Sequence, residues 1–357
     1  MIKSIKLVKF RCFEEKNLTF DPKITIVLGC NASGKTSILE GVCCLSLTKS
    51  FRTSNFCELV YNQNGYFYLE GEIKKQSKLE KISFFVDKNI KKAKINNFVC
   101  PKLSDFFGFF NVVVFSALDF LILKGSANER RKMFDLVLSQ ISKEYLIVSN
   151  YYKKVLKEKN ALLKRFKIEN NVELLTLLDT LNEQLIYYGN SIIQIREFYV
   201  NEISNFACEI HEKITNNGEK LKLKYLPNLI EINNENLNFV KHEEITKGFA
   251  VAGPHRDDFE FLINDKNVSS FGSQGQQRNA ILSVKLGIAE LINKVKKEAP
   301  TLLLDDVFSE LDKERQNALV SSLNPDFQTI ITTASISDLT QDILDKASIV
   351  EIERRSE

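Results

Sequence analysis

The stretch IVLGCNASGKTSILEG, residues 26–41, constrains the fold more than any other part of the chain. Its Gly29, Gly34, Lys35 and Thr36 fill the pattern G-x-x-x-x-G-K-[ST]. The apolar run KITIV precedes the loop and the helix-forming SILEGVCCL follows it, so a strand, a turn and a helix are expected in that order. Backbone N–H groups and the positive helix end would then face bound phosphates. An α/β fold with a nucleotide site is predicted; the alternative is a chance glycine turn.

The predicted roles within this loop follow from its chemistry. Lys35 would reach the β and γ phosphates, and the Thr36 hydroxyl would ligate Mg²⁺. The residues expected to contact the nucleotide are Gly29, Cys30, Asn31, Ala32, Ser33, Gly34, Lys35, Thr36 and Ser37.

A second motif, LLLDD at residues 302–306, is an apolar strand that ends in two carboxylates. Asp305 would hold Mg²⁺, and Asp306 would orient or deprotonate the attacking water. By itself, a strand capped by acids is also common as a purely structural feature. Together with the phosphate loop, the pair predicts catalytic machinery for nucleotide hydrolysis, with Lys35, Asp305 and Asp306 as catalytic residues.

Composition excludes several other classes of protein. The seven cysteines form no C-x-x-C pair, which argues against a disulfide framework or a zinc site, and the three histidines form no H-E-x-x-H. No run approaches the roughly 18 apolar residues of a membrane span, and the N-terminus lacks the core of a signal peptide. We therefore expect a cytoplasmic protein without a membrane partner.

The net charge of +3 means that any nucleic-acid role rests on local basic patches. Residues 74–94 hold eight lysines against two acidic residues, and residues 151–170 hold seven lysines and arginines against two. The second patch includes Lys153, Lys154, Lys157 and Lys159. For each patch alone, a solvated basic face is the favoured interpretation.

The chain is predicted to fold as α/β, with a parallel sheet split by a helical insertion. Residues 1–128 are strand-rich, and the runs GYFYLEGEI, LEKISFFVD and KKAKINNFV read as a meander. Residues 129–245 are read as mainly helical, with two or three helices over 129–215, because KIENN at 167–171 and Gly189 interrupt the helical spacing. Residues 246–357 return to strand-like sequence at GFAVAGP and DDFEFLI, then alternate helix and strand.

The segment Ser273-Gln274-Gly275-Gln276 begins a helix 32 residues before Asp305, and SELD follows the paired acids. In this order the motifs resemble ATPases of the ABC and SMC superfamily. The resemblance implies an ATPase head with a mixed sheet, and makes Ser273 to Gln276 the signature motif that contacts the γ-phosphate held by another protomer. Because the chain carries one copy of each motif, it implies an ATP-dependent homodimer. The alternative for Ser273 is an ordinary helix cap.

The local sequences resemble the RecF family of bacterial recombination-mediator ATPases. The resemblance rests on KFRCFEE, GCNASGKTSILEG, KSFRT, VVVFSALDFLILKGSANERRKMFD, GPHRDD, GSQGQQR and LLLDDVFSELD. It implies a weak, DNA-stimulated ATPase that uses ATP and Mg²⁺ and binds duplex DNA near single-strand gaps. It further implies action with RecR and RecO to help RecA displace single-strand-binding protein.

The resemblance also suggests roles for further positions, each beside a structural alternative. Arg52 would reach the nucleotide across the dimer or be a surface arginine, and Asp312 would line the dimer interface or cap a helix. His255 and Arg256 of GPHRDD would form a switch or pack between lobes. Thr332 and Thr333 would sense the γ-phosphate or simply end a strand.

The chain departs from the family pattern in two segments. The family usually has proline and glutamate in the segment that reads FSALDF here, which contains Asp119, and arginine where this chain has Lys159.

One rival function is that of an SMC-like ATPase of another DNA-maintenance or defence pathway. The other is an ATP-binding scaffold without turnover. A transporter subunit is disfavoured because 270 residues separate Lys35 from Asp305.

Overall fold

A computed structural model describes residues 1–63, 65–169, 173–215, 218–310 and 313–353. The strands are β1 (Ile2–Phe10), β2 (Phe13–Thr19), β3 (Ile24–Leu28), β4 (Phe67–Lys75), β5 (Lys78–Val86), β6 (Lys91–Ile95), β7 (Phe98–Val99), β8 (Val112–Phe115), β9 (Leu221–Leu226), β10 (Asp258–Ile263), β11 (Lys266–Asn267), β12 (Thr301–Asp305), β13 (Gln328–Thr333) and β14 (Ala347–Glu351). The helices are α1 (Lys35–Leu47), α2 (Leu103–Phe106), α3 (Phe120–Lys124), α4 (Ala127–Ile141), α5 (Lys143–Glu169), α6 (Glu173–Ile214), α7 (Asn234–Lys247), α8 (Val268–Phe271), α9 (Gln274–Lys296), α10 (Lys313–Ser322) and α11 (Gln341–Leu344). Within the described ranges, no helix combines the length and the apolar character needed to cross a bilayer.

The residues group into two compact units. The first unit contains Met1–Phe120, Phe206–Lys220 and Ile281–Glu357, and the second contains Leu121–Asn205 and Leu221–Ala280. The predicted division of the chain at residues 128 and 245 stays a prediction.

A five-stranded parallel sheet in the order β14-β3-β13-β12-β8 forms the centre of the first unit. Its middle strands are apolar on both faces, as is typical of parallel strands covered on both sides. Leu302, Leu303 and Leu304 of β12 are buried, as is all of β13. The long segment between β8 and β12 confirms the predicted α/β fold, with a parallel sheet interrupted in sequence by an insertion.

A six-stranded antiparallel sheet in the order β2-β1-β4-β5-β6-β7 forms the other half of the first unit. Buried and exposed side chains alternate along β4, which is the pattern of a sheet with one covered face. Helix α1 contacts strands of both sheets, and its Ile38, Leu39 and Val42 are fully buried. The predicted meander of strands is confirmed by β4, β5 and the β6–β7 hairpin.

The second unit contains three long helical segments and the antiparallel sheet β11-β10-β9. The prediction of two or three helices is confirmed by α4, α5 and α6. Of the predicted interruption at 167–171, residues 167–169 belong to α5, and residues 170 and 171 lie outside the described residues. The expectation that Gly189 interrupts the pattern was wrong, because α6 continues through it. A Cβ at Gly189 would lie 2.3 Å from Ile232 Cδ1, so the glycine permits close packing within this unit.

The expectation of a strand at GFAVAGP was also wrong. Residues 248–253 are irregular, and the amides of Ala250, Val251 and Gly253 bond to side chains instead of to a neighbouring strand. Ala250 N donates to Asn160 Oδ1 at 2.7 Å, and Val251 N donates to Glu244 Oε1 at 2.9 Å. Strand β9, which pairs with β10 over its full length, was not predicted.

Candidate nucleotide site

The phosphate loop connects β3 to α1 at the carboxyl edge of the parallel sheet. Gly34 is the residue that caps α1, and its φ of 99° lies in the left-handed region that favours glycine. A Cβ at Gly34 would also lie 2.6 Å from Cys12 Sγ and from Phe13 Cζ. The second glycine of the motif is therefore required by backbone geometry and by packing.

Lys35 lies across the inside of the loop. Its Nζ donates to the carbonyl oxygens of Gly29 at 2.8 Å and Cys30 at 3.1 Å, and the residue is buried. Among the described residues, the buried Ser33 Oγ has no hydrogen-bond partner. A buried ammonium and an unsatisfied hydroxyl in one loop suit the oxygens of a phosphate group.

The structure brings Thr36, Asp305 and Thr332 together. Asp305 Oδ1 accepts hydrogen bonds from Thr36 Oγ1 at 2.8 Å and from Thr332 Oγ1 at 2.9 Å. This meeting follows from the sheet register, since β13 lies between β3 and β12 and Thr332 pairs with both Asp305 and Val27. The roles of Thr36 and Asp305 toward a metal stay predictions.

The two carboxylates differ in their surroundings. Burial raises the pKa of Asp305, whereas the hydrogen bonds from Thr36 and Thr332 lower it and the charge of Asp306 raises it. Burial also raises the pKa of Asp306, with Lys35 acting to lower it and Asp338 to raise it. In both cases the ionised form is costly, so a cation bound nearby would be favoured.

Asp306 has a strained backbone. Its φ is 53°, in the left-handed region that is uncommon for residues other than glycine, and its amide donates to Thr332 Oγ1 at 3.0 Å. The turn redirects the chain directly after β12. Backbone strain of this kind concentrates at functional sites.

These residues fit a magnesium ion by the chemistry of their donors. Mg²⁺ prefers oxygen ligands and is usually held by one or two carboxylates together with substrate phosphates. Thr36 Oγ1 and Asp305 Oδ1 supply two such oxygens in direct contact beside the loop.

Glu40 organises the first turns that follow the phosphate loop, which sequence reasoning missed. Its buried carboxylate accepts from Arg11 Nε and Nη2, each at 2.7 Å, and from the hydroxyl of Ser50. Arg52 lies 3.8 Å from the same carboxylate and is half-exposed. The arginine of KFRCF and the glutamate of SILEG were the available sequence signals, although their pairing is visible only in three dimensions.

The signature turn lies in the second unit and caps the start of α9. Ser273 N donates to Gln276 Oε1 at 2.8 Å, and Gln276 N donates to Ser273 Oγ at 3.2 Å, which is a reciprocal capping box for α9. Ser273 and Gln274 are exposed. The turn is therefore a helix cap, and a role for Ser273 to Gln276 toward another protomer's nucleotide stays a prediction.

Four further residues singled out in the sequence can be compared with the structure. Thr333 Oγ1 donates to the Ser335 carbonyl at 3.0 Å, so it is Thr332 that contacts Asp305. Asp312 lies outside the described residues. His255 is bonded to Tyr152 and to the carbonyl of Ala250, within the second unit.

The acids of GPHRDD hold a buried ionic network that was not foreseen. Arg196 of α6 donates to Asp257 at 2.6 Å, to Asp135 at 2.8 Å and to Tyr145 at 3.0 Å. Arg130 makes a two-point contact with Asp258 at 2.6 and 2.9 Å. These contacts join α4, α5, α6 and the start of β10 inside the second unit.

The basic patch at 151–170 is smaller in three dimensions than in sequence. Lys159 is completely buried and lies 2.7 Å from Glu244, and Lys153 lies 2.8 Å from Asp135. Burial lowers the pKa of Lys159, although Glu244 acts in the opposite direction. Lys159 therefore stabilises the second unit and adds nothing to a solvent-facing patch.

Comparison with known proteins gives consistent results along the whole chain. Residues 4–350 match the family model of the AAA domain. The DNA replication and repair protein RecF of Bacillus cytotoxicus is 38% identical over 362 residues, covering 98% of this chain and 96% of the relative. The protein of the same name from Bacillus thuringiensis is 37% identical with the same coverage.

Solved structures that resemble this chain include a member of the same family and a more distant ATPase head. The recombination mediator protein RecF with ATPrS, described in the RecFOR pathway, has a TM-score of 0.87 and 33% identity, covering 100% of this chain and 98% of that one. The Smc head domain derived from Pyrococcus furiosus has a TM-score of 0.55 and 17% identity, covering 99% and 94%, and shows the fold alone. The predicted ABC and SMC-type ATPase fold is confirmed. The chain belongs to the RecF family of DNA replication and repair proteins, within the wider AAA domain family.

Proposed function

We propose that this chain is an ATP-dependent recombination mediator. It binds ATP with Mg²⁺, dimerises when ATP is bound, and binds duplex DNA beside single-strand gaps. With RecR and RecO it helps RecA replace single-strand-binding protein, and slow ATP hydrolysis resets it. The observation that carries the proposal is the contact of Thr36 with Asp305 beside the phosphate loop, in a chain of this family.

The residues of the loop have separable tasks. Backbone amides of residues 29–34 and the start of α1 bind the phosphates, and Lys35 contributes a positive charge. Asp305 would hold the metal, and hydrogen bonds from Thr36 and Thr332 position its carboxylate. Asp306 positions the attacking water and accepts its proton. When bound, Mg²⁺ neutralises phosphate charge and fixes the phosphate geometry.

Dimerisation follows from the division of motifs. Ser273 and its neighbours complete the site of the other protomer, so two ATP molecules lie in the dimer. ATP shifts the equilibrium toward the dimer only if it binds the dimer more tightly than the monomer, and the proposal requires this preference to be larger for ATP than for ADP. Hydrolysis removes the γ-phosphate contact that holds the dimer together. Turnover is slow because it is coupled to assembly of the dimer, and DNA stimulates turnover by favouring the assembled state.

The test measures DNA binding and mass together. A fluorescent gapped duplex is titrated with wild-type protein and with Lys35→Met, each with ATP and with ADP, while light scattering reports mass. Wild type should dimerise and bind tightly only with ATP, and Lys35→Met should do neither. Nucleotide-independent DNA binding would overturn the proposal.

Ser273→Arg separates nucleotide binding from dimerisation. The variant should still bind a fluorescent ATP analogue, because Ser273 serves the other protomer's site, but it should remain monomeric with ATP. ATP-driven dimers of Ser273→Arg would contradict the role assigned to the signature turn.

A further inference from the structure

The six-stranded sheet has an exposed face with an unusual composition. In register across β1, β4, β5 and β6 lie Val8, Tyr68, Phe85 and Lys92. They alternate along their strands with buried residues, so they occupy the face opposite the core. Tyr68 and Phe85 are half-buried, and Lys92 is exposed.

Further contacts extend this row. The Tyr66 ring lies 5.4 Å from the Phe85 ring, measured between centroids, and Lys9 Nζ lies 4.7 Å from the centre of the Tyr66 ring. We call Lys9, Tyr66, Tyr68, Phe85 and Lys92 the aromatic–lysine row. Its rings present π surfaces beside positive charges on one sheet face.

Two acidic neighbours of the row, Glu70 and Glu15, are already paired with lysines, whereas the exposed Glu72 of β4 lies on the same face, in register with Lys81 of β5. Glu70 accepts from the Tyr68 hydroxyl at 2.6 Å and lies 2.8 Å from Lys81. Glu15, which is in register with Val8, lies 2.7 Å from Lys6.

The lysines at the other end of the row are unpaired. In the described part of the chain, Lys92 and the exposed Lys94, two residues further along β6, have no ion-pair partner. Lys92 and Lys94 outnumber the exposed Glu72, so the face keeps a net positive charge that complements a polyanion.

We propose that the aromatic–lysine row, together with Lys94, binds single-stranded DNA, with bases on Tyr68 and Phe85 and phosphates against Lys92 and Lys94. The inference rests on the proposed function and adds to it a surface for the single-stranded side of a gap. Rings in a sheet surface stack with unpaired bases, as in other sheet-based readers of single strands. A duplex, whose bases are already stacked, would use the lysines and leave the rings without a role.

The test uses a fluorescein-labelled oligodeoxythymidine of about 20 nucleotides, long enough for one sheet platform, and a labelled duplex, both with ATP. Phe85→Ser should weaken oligodeoxythymidine binding by about fivefold or more, the factor expected for loss of one stacked base. Lys92→Gln with Lys94→Gln should weaken it and reduce the salt slope by about 1.4, since each single-strand contact contributes about 0.7. Lys78→Gln, at the exposed first residue of β5, is the matched control and should change little.

Two results would overturn the inference. One is unchanged oligodeoxythymidine affinity in folded Phe85→Ser and in the double lysine variant. The other is an equal loss for duplex and oligodeoxythymidine in Phe85→Ser, which would assign the face to phosphate contacts alone. Tyr68→Phe keeps the ring and should bind as wild type, because the proposed contact uses the ring and not the hydroxyl that donates to Glu70.

The same variants keep the two proposals apart. ATP-driven dimerisation of each variant, followed by light scattering, tests the proposed function separately. Intact dimerisation with unaltered single-strand binding would reject this surface and leave the proposed function standing.

Discussion

The Thr332 hydroxyl donates to Asp305 Oδ1 at 2.9 Å, across two adjacent parallel strands. The Thr332 hydroxyl oxygen also accepts from the Asp306 amide at 3.0 Å. One threonine thus fixes the carboxylate proposed to hold the metal and the backbone of the residue proposed to position water. This side chain links the two acids that the sequence placed side by side.

Thr332→Val tests whether that link matters for hydrolysis. Valine keeps the shape but removes a hydroxyl whose hydrogen bond lowers the pKa of Asp305, so the carboxylate loses orientation and ionises less readily. We expect kcat for ATP hydrolysis to fall at least about tenfold, which corresponds to about 1.4 kcal/mol of barrier, with a smaller change in ATP affinity. Thr332→Ser retains the hydroxyl and should keep most activity. Equal kcat for Thr332→Val and wild type would contradict the role of this contact.

Much of the fold was accessible from sequence because its signals are local. The apolar runs of β3 and β12, the alternation along β4 and the helical spacing after residue 129 each reflect one element's own burial. The errors came from tertiary effects. Gly189 reads as a helix end in sequence, yet it is a point of close packing against Ile232, and GFAVAGP reads as a strand, although side chains bond its amides.

The candidate site was predictable to the extent that it is written in contiguous motifs. Gly34 and Lys35 lie in one loop, and Asp305 is recognisable at the end of its strand. Arg11 and Glu40, however, meet only after the chain folds, and nothing local marks that pair. Long-range ionic contacts of this kind depend on topology and lack a sequence period.

Glu40→Gln tests the clamp behind the phosphate loop. The variant leaves the partly buried Arg11 without its two-point partner, so we expect the free energy of unfolding to fall by about 3 kcal/mol. Urea denaturation measures this change. Glu58→Gln, an exposed neighbour whose backbone carbonyl accepts from Arg11, is the control and should be within about 0.5 kcal/mol of wild type. A similarly small loss of unfolding free energy in Glu40→Gln would show that Arg11 can be hydrated in the variant without destabilising the fold.

Lys285→Met tests a second ionic contact in the first unit. Lys285 Nζ of α9 is mostly buried, pairs with Asp119 and donates to the carbonyl of Val114 on β8. Asp119 also accepts from Ser116 N at 2.8 Å, so its carboxylate is held from two sides. We expect a loss of about 3 kcal/mol in the free energy of unfolding, because the variant leaves the partly buried carboxylate of Asp119 without its cationic partner.

A double-mutant cycle decides whether that loss belongs to the pair. Asp119→Asn combined with Lys285→Met should cost less than the two single changes together, by about 1 kcal/mol or more. The exposed Lys297→Met should be nearly neutral. Strict additivity of the two changes would mean that the Asp119 contact contributes nothing beyond the separate residues.

His255 should make the stability of the second unit depend on pH. The Ala250 carbonyl can only accept, so His255 Nε2, at 3.1 Å, carries the hydrogen, and Nδ1 accepts from the Tyr152 hydroxyl at 2.8 Å. Burial lowers the pKa of His255 from 6.5 to about 4; the Ala250 hydrogen bond opposes this, and the charges of Arg256, Lys159 and Arg131 add to it.

The sign of the effect follows from proton uptake by the unfolded chain. Between pH 6.5 and about 4 the unfolded chain binds a proton at His255 that the folded chain does not. This contribution is complete above pH 6.5 and is lost as the pH falls toward 4, by up to about 3 kcal/mol at about 1.4 kcal/mol per pKa unit. Asp257, whose pKa burial raises, acts in the opposite direction, so the comparison must be between variants. Urea denaturation across this range should show a flatter pH dependence for His255→Gln than for wild type, whereas the exposed His242→Gln should follow wild type. Parallel curves for His255→Gln and wild type would mean that the buried imidazole takes up its proton without cost.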